Sequence, residues 1–322
     1  MEAHGIKNLP DALNVTAESV FLPPRPRDSH KGDYGRVLIA AGSVGYTGAP
    51  NLAAAAAVRA GAGLVYLAVP EAIWTVCAVK NTEAMPFPLP CDHEGRLTTQ
   101  ALPELRRRWR NCGVLALGPG LGRSPDIAAI TGVVTEEYPG LLVLDADALW
   151  AVAQDPELLR RAKGKVVITP HTGEFRRLGG ERTGDRLTDA SAFAERYGCA
   201  VVLKGSGTVI AFPTGERYIL RAGNPGMARG GSGDVLTGIT AAMLGQLPFE
   251  RAVVTAAWIH SAAGDLCARE LGEYGMIPSD IIEKLPITMK GITRKRHEKD
   301  DPSADDDPVP DRLQPGPGEA EL

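Results

Sequence analysis

Val114-Leu115-Ala116-Leu117 runs directly into Gly118-Pro119-Gly120-Leu121-Gly122. An unbroken apolar run that ends on a glycine-rich turn has the pattern of a strand covered on both faces of a sheet. The pattern recurs along the chain. Val37 to Ala41 precedes Gly42-Ser43, Leu141 to Leu144 precedes Asp145-Ala146-Asp147, and Val166 to Thr169 precedes Pro170-His171-Thr172-Gly173-Glu174. Leu64 to Val69 is a further run of this kind, and Val201 to Leu203 precedes Lys204-Gly205-Ser206-Gly207. Amphipathic or alanine-rich helical segments lie between these runs. Such alternation predicts an α/β fold with a mostly parallel central sheet and helices on both faces. Thr208 to Phe212 and Arg217 to Leu220, joined through Pro213-Thr214-Gly215-Glu216, predict an antiparallel hairpin on one edge. Ligands of such sheets bind beyond the C-terminal ends of the strands, where this sequence concentrates its polar and glycine-rich residues.

Composition limits the function classes. With 322 residues, 44% of them apolar, the chain is long enough for one large core. Its formal charge of −4 is concentrated at the C-terminus: Glu298 to Leu322 carries nine acidic residues against Lys299 and Arg312. The rest is near neutral, which argues against a nucleic-acid or anionic-membrane surface. Five scattered cysteines without a C-x-x-C pair read as thiols of a reducing compartment. Residues 1–10 lack the apolar run of an export signal, and Asn51 to Leu67 is interrupted by Arg59, Gly61 and Gly63. A cytoplasmic protein without a membrane span is expected. The organisation expected is an N-terminal extension over 1–30, a catalytic domain over 31–293, and a disordered acidic, proline-rich tail over 294–322.

Asn224-Pro225-Gly226-Met227-Ala228-Arg229-Gly230-Gly231-Ser232-Gly233-Asp234 leads into the apolar helical segment Val235 to Leu244. Small residues let backbone N–H groups converge, and the helix adds the positive end of its dipole, so this is a candidate phosphate site. Asp234, in the first helical turn, is placed to take a proton from a hydroxyl that attacks the phosphate. The chain has no G-x-x-x-x-G-K-[ST], and Gly118 to Gly122 has the wrong spacing for G-x-G-x-x-G. Asp145 and Asp147 can hold Mg²⁺ or cap the helix starting near Ala148; capping is the reading for Asp147 and Asp145 stays open. Thr172 is the candidate cap of the helix after His171. Lys204 can reach a nucleotide phosphate or simply end its strand in solvent.

In order, these segments resemble the ribokinase-like superfamily and, within it, the NAD(P)H-hydrate dehydratases. Lys31-Gly32-Asp33-Tyr34-Gly35, Tyr46-Thr47-Gly48-Ala49-Pro50, Arg59 to Val65, Gly118 to Gly122, Leu144 to Leu149, Thr169 to Phe175, Leu203-Lys204-Gly205 and Asn224 to Asp234 carry the resemblance. It implies a ribokinase-like fold and dehydration of the (6S) hydrate of NADH or NADPH, driven by ADP with AMP and phosphate as co-products. It places Ala49, Gly120, His171 and Asp234 on the hydrated dinucleotide. Lys204, Gly205, Ser206, Gly207, Thr208, Gly231, Ser232 and Gly233 fall on the nucleotide. Asp234 becomes the catalytic base, and Glu174 matches a position that organises Mg²⁺. A homo-oligomer, as in tetrameric relatives, and cooperation with a separate epimerase for the (6R) hydrate are also implied. His171 stands where the superfamily usually has Asn, as in bacterial dehydratases, and Ser232 stands where Thr is more usual. The alternatives are a kinase of the same superfamily acting on a vitamin-precursor alcohol of hydroxymethylpyrimidine or thiazole type, and a nucleotide-binding regulator, which has no use for Asp234.

Overall fold

The computed structural model describes residues 12–300. One ten-stranded sheet organises them, in the order β1-β10-β9-β8-β7-β6-β5-β2-β3-β4. Strands β2 (Arg36–Ala40), β3 (Leu64–Pro70), β5 (Val114–Leu117), β6 (Leu141–Leu144), β7 (Val166–Ile168) and β8 (Ala200–Leu203) match the apolar runs of the sequence and pair in parallel. The hairpin of β9 (Thr208–Ala211) and β10 (Arg217–Leu220) adds the antiparallel part beside β8. Two strands were not foreseen. β4 (Met85–Leu89) carries Pro86 and Pro88, which a sheet tolerates here because β4 is an edge strand. β1 (Leu13–Asn14) pairs with β10, so the N-terminal extension closes the opposite edge.

Alternation along β2 sorts the core into two layers. Val37 and Ile39 face one layer with α1 (Gly48–Arg59), α8 (Ser232–Leu244), α9 (Phe249–Gly275) and α10 (Pro278–Asp300). Leu38 and Ala40 face the other with α3 (Leu102–Trp109), α4 (Pro125–Glu137), α5 (Asp147–Val152), α6 (Thr172–Arg177) and α7 (Arg186–Tyr197). α2 (Glu71–Lys80) contributes Ile73 and Cys77 to the first layer. The contact of α1 with α8 there has a single steric cause. A Cβ on Gly238 of α8 would lie 2.1 Å from the carbonyl oxygen of Ala53 in α1, so only glycine lets the alanine-rich helix approach.

The sequence boundary at Arg294 falls inside α10, which continues to Asp300. Helix-compatible Lys and Arg at 294–296 extend the last turns before the acidic, proline-rich composition begins. The remainder of the expected tail, 301–322, lies outside the described residues, as do residues 1–11 of the extension. No helix among the described residues is long and apolar enough to cross a membrane. All five cysteines are unpaired thiols, and burial raises four of them, Cys77, Cys112, Cys199 and Cys267, well above an ordinary thiol.

The direction of winding reverses between β2 and β5. The chain passes from β2 outward to β3 and β4, then returns to lay β5 on the other side of β2 and proceeds to β6, β7 and β8. A crevice opens at such a point because the loops leaving the two neighbouring strands diverge. Here the two loops are tied at their bases. Gly42 N–H donates to the Pro119 carbonyl at 2.8 Å, and Ser43 Oγ donates to the Gly120 carbonyl at 2.8 Å.

Candidate active site

A cavity of about 780 Å³ occupies this crevice. Ser43, Tyr46 and Ala49 line it from the loop after β2 and the start of α1. Gly120, Gly122 and Arg123 line it from the loop after β5, and Ala146 and Asp147 from the turn after β6. Glu174 and Asp234, with Glu94 and Arg96, complete the wall. Gly120 brings the two loops into contact: a Cβ added to it would lie 3.0 Å from both Ala49 Cβ and Tyr46 Cβ. A larger room, about 790 Å³, lies between residues 22–34 and α10, away from every candidate catalytic residue.

Asp234 sits in the first turn of α8, whose first N–H groups have no acceptor within the helix. Gly231 caps that helix in the left-handed region at φ 99°, a conformation that opens the loop without a Cβ penalty. Burial is the main force on the Asp234 carboxyl, with repulsion from Asp145 and then Asp147 adding to it and Lys204 opposing. Together they push its pKa up to about 7. It is therefore a carboxylate with the basicity of a histidine, beside an array of N–H donors. Behind it, Ser232 Oγ lies 3.3 Å from His260 Nε2 of α9. Burial drives His260 down to about 4, so its ring is neutral at physiological pH and adds no charge beside the helix terminus.

Lys204, at the end of β8, holds the acidic groups together. Its Nζ donates to Asp145 Oδ1 at 2.9 Å and lies 3.9 Å from Glu174 Oε2. Burial alone would lower its pKa, but Asp145, Glu174 and Asp234 outweigh that and hold it above the ordinary lysine value. Asp145 is 1% exposed and receives a second hydrogen bond, 2.7 Å, from Thr237 Oγ1 one turn along α8. A Cβ on Gly233 would be 3.3 Å from Lys204 Nζ, so the glycine-rich loop and the lysine meet. The following loop is clamped by Arg186 of α7, whose guanidinium donates to the carbonyls of Leu203, Lys204, Ser206 and Gly207.

Two expectations about caps are corrected. Thr172 is the first residue of α6 and not its cap. His171 is the cap: its Nδ1 accepts the N–H groups of Gly173 and Glu174 at 3.0 and 3.3 Å, while Glu174 Oε2 accepts the His171 N–H at 2.9 Å. The imidazole displaces the threonine because it reaches back over the first turn as an Asn would, giving a capping box. Asp147 is likewise no cap. It begins α5, and its Oδ2 accepts the Gly122 N–H at 2.9 Å while Oδ1 lies 3.3 Å from Arg123 Nε. The turn that aims it there contains Ala146 at φ 47°, ψ −115°, a sparsely populated conformation for a residue with a Cβ.

The candidate residues thus divide between one cavity and its flank. Ala49, Gly120, Glu174 and Asp234 share the cavity wall. Lys204 to Thr208 and Gly231 to Gly233 lie on the α8 side of that wall, joined to it by Lys204 and by the short parallel bridge between His171 and Lys204. The His171 ring does not line the cavity. Thr237 and Arg186 were missed by the sequence reading: Thr237 could have been found as the residue three after Asp234 on the same helix face, whereas nothing local distinguishes Arg186. No group of three or more His, Cys, Asp or Glu side chains able to hold a metal by themselves occurs among the described residues.

Comparison with known proteins gives a consistent result. The sequence model described as NAD(P)H-hydrate dehydratase matches residues 37–287. The bifunctional NAD(P)H-hydrate repair enzyme of Moorella thermoacetica is 45% identical over 84% of this chain and 52% of its own length. The ADP-dependent (S)-NAD(P)H-hydrate dehydratase of Neisseria meningitidis is 35% identical over 80% of this chain and 86% of its own. The chain spans about half the length of the bifunctional relatives. The crystal structure of the ADP/ATP-dependent NAD(P)H-hydrate dehydratase of Bacillus subtilis, co-crystallised with ATP and Mg²⁺, superposes with a TM-score of 0.74 at 29% identity, covering 88% of this chain and 99% of that one. The fold, the order of the motifs and these matches agree: the chain belongs to the NAD(P)H-hydrate dehydratase family.

Proposed function

We propose that this chain dehydrates the (6S) hydrates of NADH and NADPH, with ADP as phosphoryl donor and AMP and phosphate as co-products. The observation that carries the reading is Asp234, a carboxyl poised near neutrality in the first turn of α8 and opening onto the cavity. A group of that basicity takes the proton of the ring hydroxyl as the oxygen attacks the β-phosphorus of ADP and AMP departs. The hydroxyl becomes a phosphate ester, a good leaving group. The ring nitrogen lone pair then expels phosphate, and loss of a ring proton restores the dihydronicotinamide. The N–H groups around Gly231 to Gly233 stabilise the charge on the phosphoryl group in flight. Lys204 to Thr208 hold the nucleotide, while Ala49 and Gly120 leave room for the nicotinamide ring.

The lining also suits a magnesium ion that arrives on the nucleotide, since Mg²⁺ commonly needs only one or two protein carboxylates beside phosphate oxygens. Glu174, 11% exposed and facing the cavity, would hold it, and the ion would neutralise charge on the phosphates.

ADP is favoured over ATP because Thr169 to Phe175 has the bacterial form and because the Neisseria relative is named ADP-dependent. The unpaired thiols support a place in the cytoplasm. Exposed Leu271, Tyr274 and Ile277 at the end of α9 offer apolar surface for a homo-oligomer, which we take to be a tetramer. Epimerisation of the (6R) hydrate is assigned to a separate epimerase active site.

The test is incubation with hydrated NADH and either nucleotide, following the return of dihydronicotinamide absorbance. We expect turnover with at least about tenfold higher kcat/KM for ADP, equivalent to about 1.4 kcal/mol. Preference for ATP overturns the nucleotide assignment alone. A stable phosphorylated alcohol as the product overturns the dehydratase reading in favour of a kinase.

A further inference from the structure

The cavity has an unbalanced lining. Glu94, Asp147, Glu174 and Asp234 face it with carboxylates, against the cations of Arg96 and Arg123. A dinucleotide brings a pyrophosphate, and NADPH a 2′-phosphate besides, so such a lining repels it unless a cation is available. The two arginines differ in availability. Arg96 Nε is 2.9 Å from Asp92 Oδ2, and its Nη1 is 2.5 Å from Glu94 Oε2. Its stem covers Gly122, where an added Cβ would lie 2.9 Å from Arg96 Cδ, and its Nη1 is 3.4 Å from the Arg123 carbonyl oxygen. Arg96 is thus neutralised and braces the loop after β5.

Arg123 stands on that loop with its side chain 54% exposed and, among the described residues, is engaged through Nε at 3.3 Å from Asp147 Oδ1. That contact is long and solvent-exposed, so the hold of Asp147 on Arg123 is weak. The outer fork of the guanidinium has the geometry that grips phosphate oxygens in pairs. Its position also selects the ligand. Arg123 lines the cavity beside Gly122 and Gly120, whereas Lys204 is outside that lining, paired with buried Asp145 and followed by the loop that Arg186 clamps.

Resting on the dehydratase reading, we propose that Arg123 is the phosphate-recognising residue for the dinucleotide, with Arg96 as the positioning residue that fixes its loop. The test is fluorescence titration of NADH, NADPH and ADP against the wild type, Arg123→Gln and Arg123→Lys, with KM and kcat measured on the hydrates. Arg123→Gln should weaken dinucleotide binding and raise KM for the hydrates about tenfold or more, while ADP affinity and Tm stay at their wild-type values. Arg123→Lys should be intermediate, because a point charge remains and the fork is lost. Equal losses for NADH and NADPH place the pyrophosphate on Arg123; a loss confined to NADPH places the 2′-phosphate there. Dinucleotide affinities within twofold of wild type, or an equal loss for ADP, overturn the proposal. A wild type that binds NADPH but does not dehydrate the hydrates overturns the dehydratase reading and leaves Arg123 testable by the same titrations.

Discussion

Asp145 and Asp147 stand two residues apart at the end of one strand and belong to opposite sides of the site. Asp145 is fully buried and bonded by Lys204 and Thr237, in a wall where Arg186 clamps the next loop through four carbonyls. Asp147 turns the other way, onto the glycine loop and an exposed arginine, beside the exposed side chains of Val44 and Tyr46. The strained Ala146 between them is what sends the two carboxylates apart. Rigidity is thus concentrated on the Asp145 side. On the proposed function, phosphoryl transfer needs charges fixed in advance, which the closed and internally paired wall supplies. On the same reading, recognition of a long dinucleotide tolerates adjustment, and its wall keeps Arg123 exposed and loosely held.

Asp234, at the seam between the walls, gives the sharpest way to break this picture. Asp234→Asn should keep the fold and nucleotide binding, yet lower kcat by roughly 10² to 10⁴, the usual contribution of a positioned base. In the wild type, activity should rise with pH as the carboxyl deprotonates, with an acidic limb near 7 in kcat/KM. The stability effect runs in the opposite direction. A carboxyl whose folded pKa exceeds its unfolded value binds its proton more tightly in the native state, so its contribution to stability falls as pH rises from the unfolded value of about 3.8 to about 7. Asp234→Asn should therefore raise Tm at pH 8, with the gain shrinking as pH drops towards 4. A variant that turns over normally, or is less stable at pH 8, would falsify the role of this group.

Next in size is the closed wall itself. Lys204→Met leaves Asp145 buried with Thr237 as its remaining partner, and removing one member of a buried pair costs about 3–5 kcal/mol. Denaturant unfolding should register that loss, and the double variant with Asp145→Asn should recover most of it. A comparable Arg123→Gln change on the open side should leave unfolding untouched, since an exposed pair contributes only about 0–1 kcal/mol. Equal costs on both sides would erase the distinction drawn between the walls.

What the sequence disclosed follows the same division. Six parallel strands and the hairpin were legible because strands buried on both faces must be continuously apolar, as Val114 to Leu117 is. β4 was not, since Met-Pro-Phe-Pro-Leu lacks the pattern and is a strand only by virtue of its edge position. The glycine loop and Asp234 were legible because helix-terminal anion sites are local in sequence. The ion pair between Asp145 and Lys204 spans 59 residues, and the Arg186 clamp reaches up to 21, so neither leaves a local trace. Resemblance supplied the roles of Ala49, Gly120 and His171, which spacing alone would never have given.

The smallest expected effects belong to His171, which stands where the walls meet. Resemblance sets it against the dinucleotide, yet its ring nitrogen caps α6 and holds Glu174, which in turn lies near Lys204. Replacing it by Ala should cost about 0.5–2 kcal/mol of stability as a lost cap. It should also weaken dinucleotide binding more than ADP binding, through the loosened Glu174 or through a contact that the half-exposed ring makes with the ligand. His171→Asn separates the two effects, since an asparagine amide oxygen can accept the same N–H groups. Stability should return to that of the wild type. If dinucleotide affinity returns with it, His171 acts through the cap and through Glu174; if affinity stays low while ADP binding is normal, the imidazole itself meets the dinucleotide. Equal weakening of both ligands by His171→Ala, restored in full by Asn, would move His171 from the dinucleotide side to the shared frame of Lys204 and Glu174.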